Sequence, residues 1–274
     1  MDAQQMIGQS RPVDVSQPYD ASGLRGKTVV LTGGANGLGA AMACAWAALG
    51  AHLAVGDVDD AAGEALVAEL RRRHPDCACL YQHCDVTDWE QQVALFDAAV
   101  RMSPRAAVDI VVPNAGILLA AEGIRFEEPV AQADGAATAA PARPNTAVLD
   151  VNVVGVAYTA HLALHHLARN PSPDRCLLLV GSFASLAPLP GQAQYTMSKH
   201  AVAGLFRSLR STASIRHGIR VNMVAPAIWE CYAHDYDQVE TFVWRYLRML
   251  NAVALARGYL AWLRDVLAIA LRKR

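Results

Sequence analysis

Tyr195 and Lys199 stand four residues apart in the run YTMSK. On a helix that spacing puts them one turn apart on the same face. A free phenol ionises near about pH 10 and is a poor base at neutral pH. A neighbouring ammonium favours the phenolate and lowers that value. The pair is therefore suited to take a proton from an alcohol, provided that another group accepts the hydride. Ser182 lies 13 residues upstream of Tyr195, after an apolar run, and adds a hydroxyl. The same residues also fit a plainer arrangement. Tyr195 can be a packed aromatic with an exposed hydroxyl, and Ser182 a cap for the turn after its strand.

The elements that must position these residues follow from periodicity. Short β-branched or apolar runs at 28–34, 51–57, 79–86, 108–116, 175–182 and 219–226 read as strands. Segments 39–50, 59–74, 88–102, 145–169 and 193–216 read as helices. Strand and helix alternate at about 25–30 residues per unit, the period of right-handed βαβ crossovers. The expected fold is α/β: a single domain with a Rossmann-type doubly wound parallel sheet. Residues 119–144, rich in Ala, Pro and acids, break the rhythm and read as a surface insertion or long loop. The expected organisation is a tail over 1–23, a dinucleotide-binding catalytic region over 24–228 and a divergent helical segment of the same domain over 229–274.

The run TGGANGLG at 32–39 leaves the first strand and opens the first helix. Gly33 permits a tight turn, Gly37 a close approach of pyrophosphate to backbone, and Gly39 close packing of helix on sheet. The free N–H groups and the helix dipole then hold phosphate. Asp57, at the end of the second strand, is placed to accept hydrogen bonds from the adenosine ribose hydroxyls and to repel a 2′-phosphate. No Arg or Lys lies in the glycine loop or directly after Asp57, which favours NAD over NADP. The alternative for Asp57 is a cap on the helix that follows, a duty Asp59 can also fill.

Together these residues resemble the short-chain dehydrogenase/reductase family. The loop 32–39 matches its Thr-Gly-x-x-x-Gly-x-Gly form, which would bring Asn36 and Leu38 to the cofactor with the glycines. CDV at 84–86 is similar to the family's adenine contact, here Asp85 and Val86. PNAG at 113–116 resembles its turn after the fourth strand, giving Asn114, Ala115 and Gly116, with Pro113 in place of the first Asn. LDVNVVG supplies the helix asparagine as Asn152, and VGSFAS the serine as Ser182. The match runs from about residue 26 to residue 226.

The resemblance implies an enzyme that interconverts a secondary alcohol and a ketone with NAD. Tyr195 would be the acid/base, with Lys199 lowering its pKa and holding the nicotinamide ribose. Ser182 would orient the substrate oxygen. Asn152 would hold a water that links Lys199 to solvent. Pro226 would lie at the nicotinamide. It also implies a homo-oligomer, a dimer or tetramer, through helices 145–169 and 193–216. Alternatively, Asn152 is a satisfied polar group in the core. Apolar Phe183, Leu186, Leu189 and Trp229 suggest a hydrophobic or aromatic small-molecule substrate.

Composition narrows the classes further. Twenty-four basic and 25 acidic residues leave a net charge of −1, without the basic footprint that nucleic-acid binding needs. Hydrophobic residues make up 53%, enough for a large core, yet no uninterrupted apolar run of 18 residues marks a transmembrane span. The six cysteines form no Cys-x-x-Cys pair, and the first residues carry no apolar signal segment, so a reducing, cytoplasmic setting is expected. His161 and His165 share a metal-like spacing but lack the intervening glutamate, so they read as packing; no metal is expected.

After Val224 the chain departs from the family pattern. APAIWECYAHDYD keeps Pro226 but has Ala227 for Gly, with Trp229, Glu230 and Cys231 where Thr is expected. Residues 238–271 then show helical periodicity with interspersed arginines. Three readings stay open: a divergent substrate lid, an amphipathic segment for a membrane surface or partner, or an altered end that leaves a cofactor-binding but catalytically impaired protein.

Overall fold

A strand buried on both faces is apolar along its middle, and Val29, Val30 and Leu31 are fully buried. They belong to β1 (Thr28–Thr32), in the middle of the sheet. The computed structural model describes residues 20–127 and 143–226, all within one compact unit. Expectations for residues 1–19, for 128–142 and for everything after Pro226, including Trp229 and the helical series at 238–271, lie outside the described residues.

The remaining strands are β2 (His52–Asp57), β3 (Cys79–His83), β4 (Ile110–Pro113), β5 (Cys176–Val180) and β6 (Arg220–Val224). The order is β3-β2-β1-β4-β5-β6 and every described pairing is parallel. This is the doubly wound arrangement that the alternation predicts. The strand order reverses between β1 and β4, which opens a crevice at the carboxyl ends of those strands.

Successive side chains of β1 enter opposite cores. Val30 packs with Leu95, Phe96, Ala160 and Ala163. Val29 and Leu31 pack with Ala43, Ala47, Val67 and Leu70 on the other face. The period of two along the strand thus separates two helical layers. One layer holds α1 (Gly37–Ala48) and α2 (Asp60–Arg73). The other holds α3 (Trp89–Met102), α5 (Ala147–Arg169) and α6 (Ala193–His217). Asp59 caps α2 by accepting the Ala62 N–H, and Asp88 caps α3 by accepting that of Gln91. Gly218, at φ +65°, ends α6 in the left-handed conformation.

Two elements differ from the sequence expectation. Residues 120–127, expected to be loop, form the helix α4 (Ala120–Glu127). Gly123 lies against the Gly191 carbonyl, where a Cβ would approach the oxygen to 2.2 Å. Helix α5 is not uniform either: Asp150–Gly155 is a π-helical turn. Such turns widen a helix locally and occur often at functional sites. Helix α5 is long and apolar enough by length and composition to cross a membrane. Its buried Val156, Ala160, Ala163 and Leu167 pack in the core, which accounts for that apolarity.

Asp109 holds β1, β4 and the end of α5 together. It is fully buried; one oxygen accepts the Thr28 N–H at 2.8 Å and the Arg105 guanidinium, and the other accepts Asn170 Nδ2 at 2.9 Å. Lys27 Nζ stands 3.7 Å away. Removing the carboxylate leaves these donors without their acceptor. Asp109→Ala is expected to lower unfolding free energy by about 1–3 kcal/mol in urea titrations, the usual cost of leaving buried donors unsatisfied; no measurable loss would contradict this account.

Candidate active site

The crevice begins at the glycine loop. Gly33 (φ +63°) and Gly37 (φ +53°) adopt left-handed backbone. A Cβ at Gly33 would come within 2.5 Å of Ala115 Cα, and one at Gly39 within 2.1 Å of the Gly33 oxygen. These glycines therefore allow loop, helix and the turn after β4 to touch. Asn114 Nδ2 donates to the Gly33 carbonyl at 2.7 Å, and Thr32 Oγ1 accepts the Asn114 and Ala115 N–H groups. Asn36 is the N-cap residue of α1 but makes no capping hydrogen bond there; its amide donates to Asp59 instead. The first N–H groups of α1 thus lack a side-chain cap and suit an anion. Leu38 is half-buried against the apolar core.

Asp57 closes β2 beside this loop. Its carboxylate accepts N–H groups from Ala35, Val58 and Asp59 at 2.8–3.1 Å. The capping duty falls to Asp59, so Asp57 is not the cap of α2. Asp60 accepts from the Tyr81 hydroxyl at 2.6 Å and pairs with His83 Nδ1 at 2.8 Å. Those two bonds hold the Asp60 carboxyl below its usual range, Tyr81 contributing more than His83. His83 is half-exposed and engaged with Asp60.

Asp85 and Val86 form the turn after β3. Thr87 donates both its N–H and its hydroxyl to one Asp85 oxygen. Two adjacent glutamines fix the backbone: Gln91 Oε1 accepts the Asp85 N–H at 2.8 Å, and Gln92 Nε2 donates to the Val86 carbonyl at 2.6 Å. Gln92 also donates to the Gly155 carbonyl at 3.0 Å and accepts from the Thr159 hydroxyl at 2.7 Å. The turn after β3 is thereby tied to the π turn of α5. The sequence reading missed Gln92, although a signal was present. It occupies the buried phase of a helix whose other inward residues are Leu95, Phe96 and Ala99.

The π turn carries Asn152, which is fully buried. Its Oδ1 accepts the Ile117 N–H at 2.8 Å, and its Nδ2 donates to the Ile117 carbonyl and to Ser198 Oγ. Both amide protons are spent on protein, as expected of a satisfied core asparagine. A Cβ built on Gly116 would lie 3.2 Å from Asn152 Oδ1 and 3.6 Å from Lys199 Nζ. Asn152, Gly116 and Lys199 thus meet at one point.

Lys199 is 6% exposed and sits within α6. Its Nζ donates to the Val180 carbonyl at 3.2 Å and lies 5.7 Å from the centre of the Tyr195 ring. Among the described residues no carboxylate pairs with it, and desolvation pulls its pKa down to about 8. Tyr195, half-buried, stands near the start of α6. Ser182 follows β5 and does cap the Phe183–Ser185 turn, since its Oγ accepts the Ala184 N–H at 3.1 Å. Accepting leaves its hydroxyl proton available. The Pro226 carbonyl accepts the Phe183 N–H at 2.9 Å, which places Pro226 on the same turn. Among the described residues no group of three His, Cys, Asp or Glu side chains is placed to hold a metal. His161 lies against Trp89, and His166 stacks on Phe96.

Comparison with known proteins agrees with this arrangement. The short chain dehydrogenase family model matches residues 27–236. The chain is 38% identical over 213 residues to 5'-hydroxyaverantin dehydrogenase of Dothistroma septosporum, covering 76% of this chain and 68% of that protein. It is 35% identical over 206 residues to (+)-borneol dehydrogenase 1 of Salvia officinalis, covering 74% and 70%. A short-chain dehydrogenase/reductase from Burkholderia phymatum, solved in complex with NAD, matches with a TM-score of 0.61 at 27% identity, over 75% of this chain and 66% of that one. Levodione reductase gives a TM-score of 0.60 at 28% identity, over 74% and 72%. The alignments thus span roughly two thirds to seven tenths of these proteins' own lengths. The chain belongs to the short-chain dehydrogenase/reductase family of oxidoreductases.

The buried ammonium has a consequence for stability. The folded pKa of Lys199, about 8, lies below the ordinary 10.5. Below pH about 8 both folded and unfolded states are protonated, and the fold bears the desolvation cost, on the order of 3 kcal/mol. That cost fades as pH rises from about 8 to about 10.5, where the unfolded state binds more protons. Lys199→Met is therefore expected to raise the thermal midpoint of the cofactor-free protein at pH 6–7, with the advantage shrinking above about pH 9. A midpoint lowered at neutral pH would show that Lys199 is not under this strain.

Proposed function

We propose that this oxidoreductase interconverts a secondary alcohol and a ketone, using NAD in preference to NADP. The observation that carries the reading is the buried ammonium of Lys199, which no carboxylate pairs among the described residues, beside the Tyr195 ring and close to Gly116. The cofactor reading is supported by Gly33, Gly37 and Gly39, which clear space for a phosphate, and by the uncapped start of α1. A nicotinamide dinucleotide bound there supplies the hydride acceptor or donor. Asp57 would hold the adenosine ribose hydroxyls, and Asp85 and Val86 the adenine. Asn114, Ala115, Gly116 and Pro226 would hold the nicotinamide half.

In oxidation, Tyr195 takes the alcohol proton and Ser182 donates its free hydroxyl hydrogen to the substrate oxygen. Lys199 favours the phenolate form of Tyr195 and offers its remaining N–H groups to the nicotinamide ribose. Asn152 Oδ1, beside Gly116 and Lys199 Nζ, holds the water through which the proton leaves. In reduction the same groups act in reverse. The preference for NAD rests on the carboxylates of Asp57, Asp59 and Asp60 around the end of β2, which repel a 2′-phosphate. Apolar Leu118 and Leu186, both exposed, support a hydrophobic or aromatic substrate. This matches the chemical character of the alcohol named in (+)-borneol dehydrogenase 1.

The same reading includes a cytoplasmic setting and a homo-oligomer through α5 and α6. Exposed Val154 and Met197 on those helices support the second point. The other reading, cofactor binding without turnover and a C-terminal interaction, turns on residues 227–274, which lie outside the described residues.

Purified full-length chain, assayed with NAD against a panel of cyclic and aromatic secondary alcohols, is expected to turn over. Tyr195→Phe should then lower kcat by about 10²–10⁴-fold at little cost in NAD affinity. Full turnover by that variant would remove Tyr195 as acid/base, and NAD binding without turnover across the panel would favour the impaired reading. Separately, Asp57→Ala is expected to weaken NAD binding by about tenfold while improving that of NADP, both read by NAD(P)H fluorescence titration. An unchanged ratio of the two affinities would overturn the role given to Asp57.

A further inference from the structure

Ser185 is 3% exposed, and no step described above uses it. Its Oγ accepts the buried Ser182 N–H at 3.1 Å and donates to the Lys199 backbone carbonyl at 2.9 Å. Ser182 and Lys199 lie on different elements, the turn after β5 and helix α6. One hydroxyl therefore uses a lone pair toward one and its proton toward the other. A short hydroxyl side chain is the group able to do both in that space. Gly181 makes the room: a Cβ there would meet Ser185 Oγ at 2.9 Å.

The other sides of the turn are also fixed. Gly181 N–H donates to the Val224 carbonyl at 2.8 Å and Phe183 N–H to that of Pro226 at 2.9 Å. Lys199 Nζ returns to the Val180 carbonyl, so Lys199 is tied to this segment at both its backbone and its ammonium. The backbone link runs through Ser185.

We infer that Ser185 is a positioning residue that sets Ser182 against Lys199 and, through α6, against Tyr195. The inference rests on the proposed Ser182, Tyr195 and Lys199 chemistry. It assigns the capping hydroxyl a role beyond closing a turn. Without it, the serine turn and the first half of α6 lose their common reference, and the ammonium is held less closely against the phenol.

The test separates turnover from cofactor binding. Full-length protein is assayed with NAD on the alcohol of the panel that it oxidises fastest, and NAD affinity is read by fluorescence titration. Ser185→Ala is expected to lower kcat by about tenfold at unchanged NAD affinity. Ser185→Thr, which keeps the hydroxyl, should restore turnover. Ser185→Cys, of similar size but a poor hydrogen-bonding partner, should behave as Ala does, and it carries the test if Ser185→Ala does not fold. A turn cap with no further role predicts an unchanged kcat, and wild-type kcat in folded Ser185→Ala or Ser185→Cys overturns the inference. Tyr195→Phe separates the two levels. If the wild type turns nothing over, or Tyr195→Phe keeps full turnover, the proposed chemistry falls together with this inference. If Tyr195→Phe loses turnover while the Ser185 variants keep it, the inference alone falls.

Discussion

Holding an ammonium out of water without a carboxylate partner is unfavourable, and the described residues around Lys199 are arranged around that constraint. A carboxylate would stabilise the charge but would also attract it away from a phenol. The chain instead gives Nζ one backbone carbonyl, that of Val180, and keeps Tyr195 on the adjacent turn. Neighbouring elements then serve to keep the group in place. Asn152 and Gly116 meet it from the π turn and from the loop after β4, and the serine turn meets it from β5. Such local disfavour is common where geometry serves chemistry, and the stability of the rest of the fold sustains it.

That stability comes from a sheet whose central strand is buried on both faces. Alternation along β1 sends Val30 into one core and Val29 and Leu31 into the other. The reversal of strand order beside β1 produces the crevice, and the glycine loop and the Asn114 turn close against each other across it. The Gln92 network extends the connection. It joins the Asp85–Val86 turn to the π turn, so the two ends of the crevice share a buried set of hydrogen bonds. Buried polar networks of this kind are costly when incomplete and specify a single arrangement when satisfied.

Much of this was legible in the residues themselves. Strand period and helix spacing marked the alternating elements, and the glycines, Asp57, Ser182, Tyr195 and Lys199 stood out because each is an unusual residue type at a meaningful position. Other features were not legible for physical reasons. Helix α4 is eight residues long, about two turns, too short for a helical period to stand out from the Ala- and Pro-rich run around it. The π turn in α5 depends on tertiary packing: at Gly155 a Cβ would meet Val86 at 2.6 Å. Gln92 stands between the two cases: its phase on α3 marked it as inward-facing, but its partners Val86, Gly155 and Thr159 come from elsewhere in the chain.

The sequence by itself determined the class of fold, the order of its elements and the residue types at the site, because those rest on local spacing and side-chain chemistry. It could not choose between capping and hydrogen-bond donation for Ser182, or between a core amide and a relay for Asn152, since both roles use the same atoms. Tertiary structure decided the neighbourhoods. It gave the cap of α2 to Asp59 rather than Asp57, and it spent the Asn152 amide protons on Ile117 and Ser198. It also ran one hydroxyl, that of Ser185, between the Ser182 and Lys199 backbones. The physical reason is that burial, desolvation and hydrogen-bond partnership arise between residues far apart in the chain, and only the folded packing brings those residues within reach.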